Sequence, residues 1–204
     1  MKIYLLEHFS ECNINGFSSS LDEQGLQDAD VIVERLENLD IDKIYCSPFV
    51  KTMQSIYPFC KKCKKQMNLE STFHDAMYKP INTTIDLYES KNIESHFGYK
   101  YLFECVNNYY ESKLFASNVP FIETRNEVKN RIFPFLYNLC NRYKSKSKNI
   151  LIVTHKNIIN FIMEFFDKSA NCSIDLNEQI TEITVFDSWC GLHQSKAPVA
   201  YCNV

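Results

Sequence analysis

The chain has 204 residues, of which 45% are hydrophobic and 23% charged, with a formal net charge of −3, the composition of one ordinary globular domain. These values exclude a disordered or collagen-like chain and argue against a strongly basic nucleic-acid binder. No stretch approaches the roughly 20 apolar residues of a membrane span, and the run Ile3 to Leu6 is too short for a signal-peptide core. Nine scattered cysteines, an odd number, predict reduced thiols, so the expectation is a cytoplasmic protein with no membrane partner.

In chain order, three segments read as a short hydrophobic strand running into polar residues and then into a helical period. The first is Ile3 to Leu6, followed by Glu7 and His8; a helix then opens at Asp22 as N-cap, with Ala29, Ile32, Val33 and Leu36 at helical spacing. The second is Lys43 to Cys46, where Ser47 and Pro48 fit N-cap and first helical position, and Phe49, Met53, Ile56 and Cys60 line one face. Thr124 and Glu127 form a capping-box signature for a helix through Val128, Ile132, Phe135, Leu136 and Leu139, which Pro134 should kink. The third strand is Ile150 to Val153, followed by Thr154, His155 and a helix with Ile158, Ile159, Ile162 and Phe166 inward; Ile180 to Phe186 reads as one more strand.

Strands alternating with helices predict a single three-layer α/β/α domain spanning 1–204, with a mostly parallel central sheet and helices on both faces. Ligands of such sheets bind outside the carboxyl ends of the strands, where His8, Ser47 and His155 all fall. One histidine there is commonly a packing residue; two, each directly after a strand, mark a candidate site.

Six segments, in order, resemble the histidine phosphatase (phosphoglycerate mutase-like) superfamily. Lys2 to Asn13 (KIYLLEHFSECN) resembles its opening strand and Arg-His-Gly motif, and Leu21 to Ala29 (LDEQGLQDA) its Leu-Thr-x-x-Gly-x-x-Gln-Ala helix start. Ile44 to Ser55 (IYCSPFVKTMQS) is similar to Ser-Ser-Pro-Leu-x-Arg-Thr-x-Gln-Thr, and Phe73 to Tyr78 (FHDAMY) to Leu-Asn-Glu-Arg-His-Tyr. Glu123 to Leu136 resembles the Glu-Ser-x-x-Asp-Val-x-x-Arg helix, and Asn149 to Ile162 the strand that ends in the second catalytic histidine. The resemblance implies His8 as phosphoryl acceptor, His155 as its catalytic partner and Asp75 as proton donor. It further implies phosphate binding by Ser47, Lys51 and Asn13, with Lys156 as a substitute cation, and neither metal nor cofactor. Positions 79–119 correspond to a substrate-side insert.

The chemistry needs a neutral imidazole, a cationic cradle and an acid for the leaving oxygen. The cradle departs from the pattern: Glu7 stands at the arginine position, Phe9 at the glycine, Lys51 at the second arginine and Glu11 at a threonine. A unit-charge pair at about 4 Å and an effective dielectric near 20 is worth roughly 4 kcal/mol, so reversing one sign costs on the order of 10² to 10³ in rate after relaxation. Glu7 is also expected to favour the imidazolium of His8, which is no nucleophile. Two functions compete: phosphomonoester hydrolysis through a phosphohistidine at His8, and a pseudophosphatase that binds a phosphorylated small molecule or a phosphoprotein. A mutase needs a better-formed cationic pocket. The Cys60/Cys63 pair lacks a second pair at zinc spacing, and the clusters Lys61 to Lys65 and Arg142 to Lys148 come with no nucleic-acid motif. Trp189 and the tail after it carry no signal, and oligomeric state is not legible.

Overall fold

The computed structural model describes residues 1–12, 19–76, 98–112, 122–169, 172–176 and 179–189. Strand β1 spans Lys2–Glu7, β2 Lys43–Cys46, β3 Met67–Leu69, β4 Asn149–Thr154, β5 Cys172–Leu176 and β6 Ile180–Val185. Helix α1 spans Glu23–Glu37, α2 Val50–Cys63, α3 Arg125–Tyr143 and α4 Lys156–Asp167. The sheet order is β3-β2-β4-β1-β6-β5. Strands β3, β2, β4 and β1 pair in parallel, whereas β6 runs antiparallel to both β1 and the edge strand β5, so the sheet is mixed, with one strand reversed.

The alternation of side chains along β1 explains why it is apolar throughout. Tyr4 and Leu6 join a core with Ile32, Val33 and Leu36 of α1 and Val50, Met53 and Ile56 of α2. Ile3 and Leu5 point to the other face, into a core with Val128, Ile132 and Leu136 of α3 and Ile158 and Ile162 of α4. Both faces are thus covered, α1 and α2 on one and α3 and α4 on the other. Each fully buried Leu or Ile contributes roughly 1.5–3 kcal/mol.

The helix signals act largely as expected. Asp22 accepts from the Gly25 backbone N–H at 2.8 Å, and Thr124 and Glu127 form the reciprocal capping box of α3. The α2 start differs from expectation: Phe49 is the N-cap and Val50 the first helical residue, two positions later than Ser47 and Pro48 predict. Ser47 still belongs to the sheet end, because its backbone N–H donates to the Val153 carbonyl at 2.9 Å and its hydroxyl lies against His155. The first turn of α2 is steadied by the Thr52 hydroxyl on the carbonyls of Ser47 and Phe49, both at 2.7 Å.

Two short strands, β3 and β5, lie outside the predicted set. Trp189 also acquires a role: it is 1% exposed and packs on Phe165 and Tyr137. Within the expected insert, only 98–112 are among the described residues. A 3-10 turn at Lys100–Cys105 lies against α2, and Glu70 accepts from the hydroxyls of Tyr110 and of Ser112, the latter at 2.7 Å. The tail after Trp189 lies outside the described residues. No helix among the described residues is long and apolar enough to cross a membrane.

Candidate active site

Parallel register aligns three strand ends. Glu7 of β1 is opposite Thr154 of β4, and Cys46 of β2 is opposite Val153, so the next residues, His8, His155 and Ser47, emerge at one edge of the sheet. The His8 backbone N–H donates to the Thr154 carbonyl at 3.0 Å, which locks the two histidine-bearing segments together. The imidazole centroids of His8 and His155 are 5.1 Å apart, edge to face.

The Nδ1 of His8 lies 2.9 Å from the Phe9 carbonyl oxygen. A carbonyl only accepts, so Nδ1 carries the proton and the neutral ring keeps its lone pair on Nε2. Burial lowers the His8 pKa below its ordinary value, and Lys51 acts in the same direction, while the Phe9 carbonyl, Glu11 and Glu7 pull upward. Glu7 does pull His8 toward the imidazolium, as expected, but burial acts more strongly in the opposite direction. Phe9, at the glycine position, packs its side chain against the core on the α1 and α2 face, and its N–H donates to the Ser55 hydroxyl at 3.1 Å. Its backbone thus remains available to orient His8.

His155 is 2% exposed, with Nε2 3.1 Å from the Ser47 hydroxyl and the Phe49 ring edge-on at 4.5 Å. Its Nδ1 is buried with no hydrogen-bond partner and lies 3.8 Å from Oδ2 of Asp75. Burial holds the His155 pKa well below its ordinary value. Burial also raises the Asp75 pKa, against the opposing pull of the Ala76 N–H, Lys51, His8 and Arg131. A buried carboxyl inclined to hold its proton, next to two neutral imidazoles, is an arrangement that can supply an acid and a nucleophile at one sheet end.

The cations are committed. Lys51, 6% exposed, places its ammonium 2.8 Å from both carboxylate oxygens of Glu11, and Glu11 also accepts from the Ser19 hydroxyl at 2.7 Å. The sequence marks Glu11 only as a departure from the threonine pattern, and its pairing across forty positions has no local signal. Lys156, expected as a substitute cation, is exposed at the first position of α4. Asn13 lies outside the described residues.

Arg131 is a further site residue that the sequence reading did not single out. Its guanidinium grips Glu123 at 2.7 and 2.9 Å, and it donates to the carbonyls of Thr72, of His74 at 3.1 Å and of Asp75 at 3.4 Å. It thereby holds the segment that presents Asp75. The spacing of Glu123 and Arg131 in one helix segment was available in the sequence; their grip on residues more than fifty positions away was not. No group of three or more metal-binding side chains occurs among the described residues.

Comparison with known proteins agrees with this fold. The chain resembles the ecdysone phosphate phosphatase of Bombyx mori, solved with tungstate, at 10% identity and a TM-score of 0.64 over 100% of this chain and 96% of that one. It resembles a putative alpha-ribazole-5'-P phosphatase of Escherichia coli at 15% identity and a TM-score of 0.56, covering 92% and 97% of the two chains. Bacillus stearothermophilus YhfR aligns at 18% identity and a TM-score of 0.54 over 81% and 80%. At such identities these likenesses speak to the fold. No curated protein matches the chain. The family model described as histidine phosphatase superfamily (branch 1) matches residues 15–187, most of the chain although it begins after His8, and the chain belongs to that superfamily.

Proposed function

We propose that the chain is a phosphomonoesterase that carries the phosphoryl group on Nε2 of His8. The observation that carries this reading is the Nδ1–H to Phe9 carbonyl bond, which leaves a neutral ring with its lone pair on Nε2. In the first step Nε2 attacks phosphorus, the bond from phosphorus to the ester oxygen breaks, and Asp75 gives its proton to the departing oxygen. In the second, water attacks the phosphohistidine, the Asp75 carboxylate takes a proton from that water, and inorganic phosphate leaves with His8 neutral again. When the Ser47 hydroxyl donates to Nε2 of His155, the Nδ1–H of His155 is left as a donor for a phosphoryl oxygen.

A specific observation favours a second reading, a pseudophosphatase that binds a phosphorylated small molecule or phosphoprotein without turnover. Lys51, the cation expected in the cradle, is paired with Glu11, and Glu7 adds a carboxylate next to the nucleophile.

Hydrolysis of an aryl phosphate by the native protein and by His8→Ala separates the two, with the phosphoenzyme trapped by alkaline quench. His8-dependent turnover with a trapped phosphohistidine supports the enzyme. No turnover and no phosphohistidine leaves the binding module.

A further inference from the structure

The charge inventory around His8 is unusual for a site that receives a phosphate dianion. Among the described residues, Glu7, Glu11 and Lys51 act on His8, Lys51 and Arg131 act on Asp75, and Arg131 is itself paired with Glu123. Arg131 is occupied by Glu123 and three backbone carbonyls. Lys51 is bound by both oxygens of Glu11, whose position is fixed by the Ser19 hydroxyl and by the bridge that pairs Glu11 with Leu21. An incoming phosphate that takes Lys51 competes with Glu11 for the same ammonium and brings a dianion against a partly buried carboxylate. The buried Nδ1 of His155, without a partner and beside Asp75, still marks this edge as a place where a ligand oxygen is received.

Both observations are met by one kind of ligand. We propose that the site is built for a zwitterionic phosphomonoester, one that carries an ammonium group close to its phosphate: the phosphate takes Lys51 and the ammonium takes Glu11, so that one internal ion pair is exchanged for two. Each charge has its own partner in that exchange, whereas a plain phosphomonoester leaves Glu11 sharing Lys51 with a dianion. Glu7, at the position where the superfamily pattern has a cation, adds a second carboxylate on the side of His8 and favours the same ligands. This inference rests on the reading of the His8 edge as a phosphomonoester site, and it names the substrate class.

Phosphoethanolamine and ethyl phosphate differ by the ammonium group alone, and titration calorimetry of each against the full chain tests the exchange. Binding is measured first, so a protein that does not turn over still answers. The native protein is expected to bind phosphoethanolamine about fivefold more tightly, the scale of one partly exposed ion pair of about 1 kcal/mol. Glu11→Gln is expected to weaken phosphoethanolamine and to strengthen ethyl phosphate, because Lys51 is then released; opposite changes on two ligands cannot come from misfolding. Equal affinities in the native protein, or a preference that survives Glu11→Gln, overturns the inference, as does binding of neither compound. A preference without any trapped phosphohistidine overturns the hydrolytic reading alone.

Discussion

The buried Nδ1 of His155 and the Oδ2 of Asp75 are 3.8 Å apart, too far for a hydrogen bond and close enough for one oxygen to bridge both groups. An unsatisfied buried donor costs about 1–3 kcal/mol, which a phosphoryl oxygen would recover on binding. This relationship brings the expected acid beside the second histidine, whose ring centroid is 5.1 Å from that of His8.

Catalysis in this geometry needs His8 neutral and Asp75 protonated. The His8 pKa is lowered by burial, so activity falls only at pH values below that depressed pKa; the Asp75 pKa is raised by burial, so activity falls as pH rises through it. The rate profile is expected to be bell-shaped with its optimum on the acid side of neutrality. In Asp75→Asn the limb due to Asp75 disappears, the substrate's own ionisation near about pH 6 remains, and hydrolysis of an alkyl phosphate drops about 10² to 10⁴-fold. An unchanged profile in Asp75→Asn would remove Asp75 from the mechanism.

Glu7→Arg returns a cation to the strand end beside the nucleophile. The expected gain in kcat/KM for an aryl phosphate is on the order of 10²-fold, following from the reversed sign of one charge pair. The gain should shrink with added salt, since part of it acts through solvent. A loss of activity in Glu7→Arg would show that the carboxylate contributes to the site as it stands.

Arg131 and Glu123 are almost fully buried, and removing the guanidinium alone in Arg131→Met should cost about 3–5 kcal/mol in urea unfolding. Replacing both, Glu123→Leu with Arg131→Met, removes the charges together and is expected to restore most of that stability. The carbonyls of Thr72, His74 and Asp75 nevertheless lose their common donor, so kcat should fall with KM little changed, and the Asp75 limb of the pH profile should move. Recovery of kcat together with stability would make Arg131 a structural residue only.

Much of the scaffold was legible because it rests on local signals. The strand Ile3 to Leu6, the Asp22 cap and the Thr124/Glu127 box each concern residues within one or two turns of chain, and each is present. Strands β3 and β5 were not read, because three to five residues without clear alternation carry little periodicity. The site divides in the same way. His8, Ser47 and His155 follow strands and could be placed, whereas the Glu11 to Lys51 pair and the Arg131 grip on Asp75 join distant parts of the chain and depend on the fold itself.

Gly25 shows a local motif with a tertiary cause. A Cβ at this position in the first turn of α1 would collide with the backbone carbonyl of Ser10, in the loop that carries Glu11. Gly25→Ala is therefore expected to destabilise the fold by about 1–3 kcal/mol and to displace that loop, loosening Glu11 from Lys51. Thermal unfolding measures the first effect, and altered phosphate affinity the second. A variant with native stability would mean that α1 and the Ser10 loop separate easily.

Acid stability tests the buried histidines. His74 is fully buried and its pKa is lowered to about 4, by burial first and by Arg131 second. In the unfolded chain a histidine titrates near about 6.5, so between these values the unfolded state binds the extra proton and stability falls as pH falls. The slope is about 1.4 kcal/mol per pH unit for each such histidine, and His74 alone accounts for about 3 kcal/mol across the window. His155 acts in the same direction, because its pKa is also depressed by burial. Above the unfolded value both rings are neutral in both states and contribute no slope. Carboxylates with depressed pKa values, Glu164 at about 2 and Glu11, add their own loss only at lower pH, below the ordinary glutamate range. Urea unfolding of the native protein and of His74→Asn, whose amide can still donate to the Asp75 carbonyl, is expected to show a clearly shallower acid slope in the variant. Equal slopes would mean that His74 accepts its proton without unfolding, through a water or a carboxylate that reaches its buried Nε2.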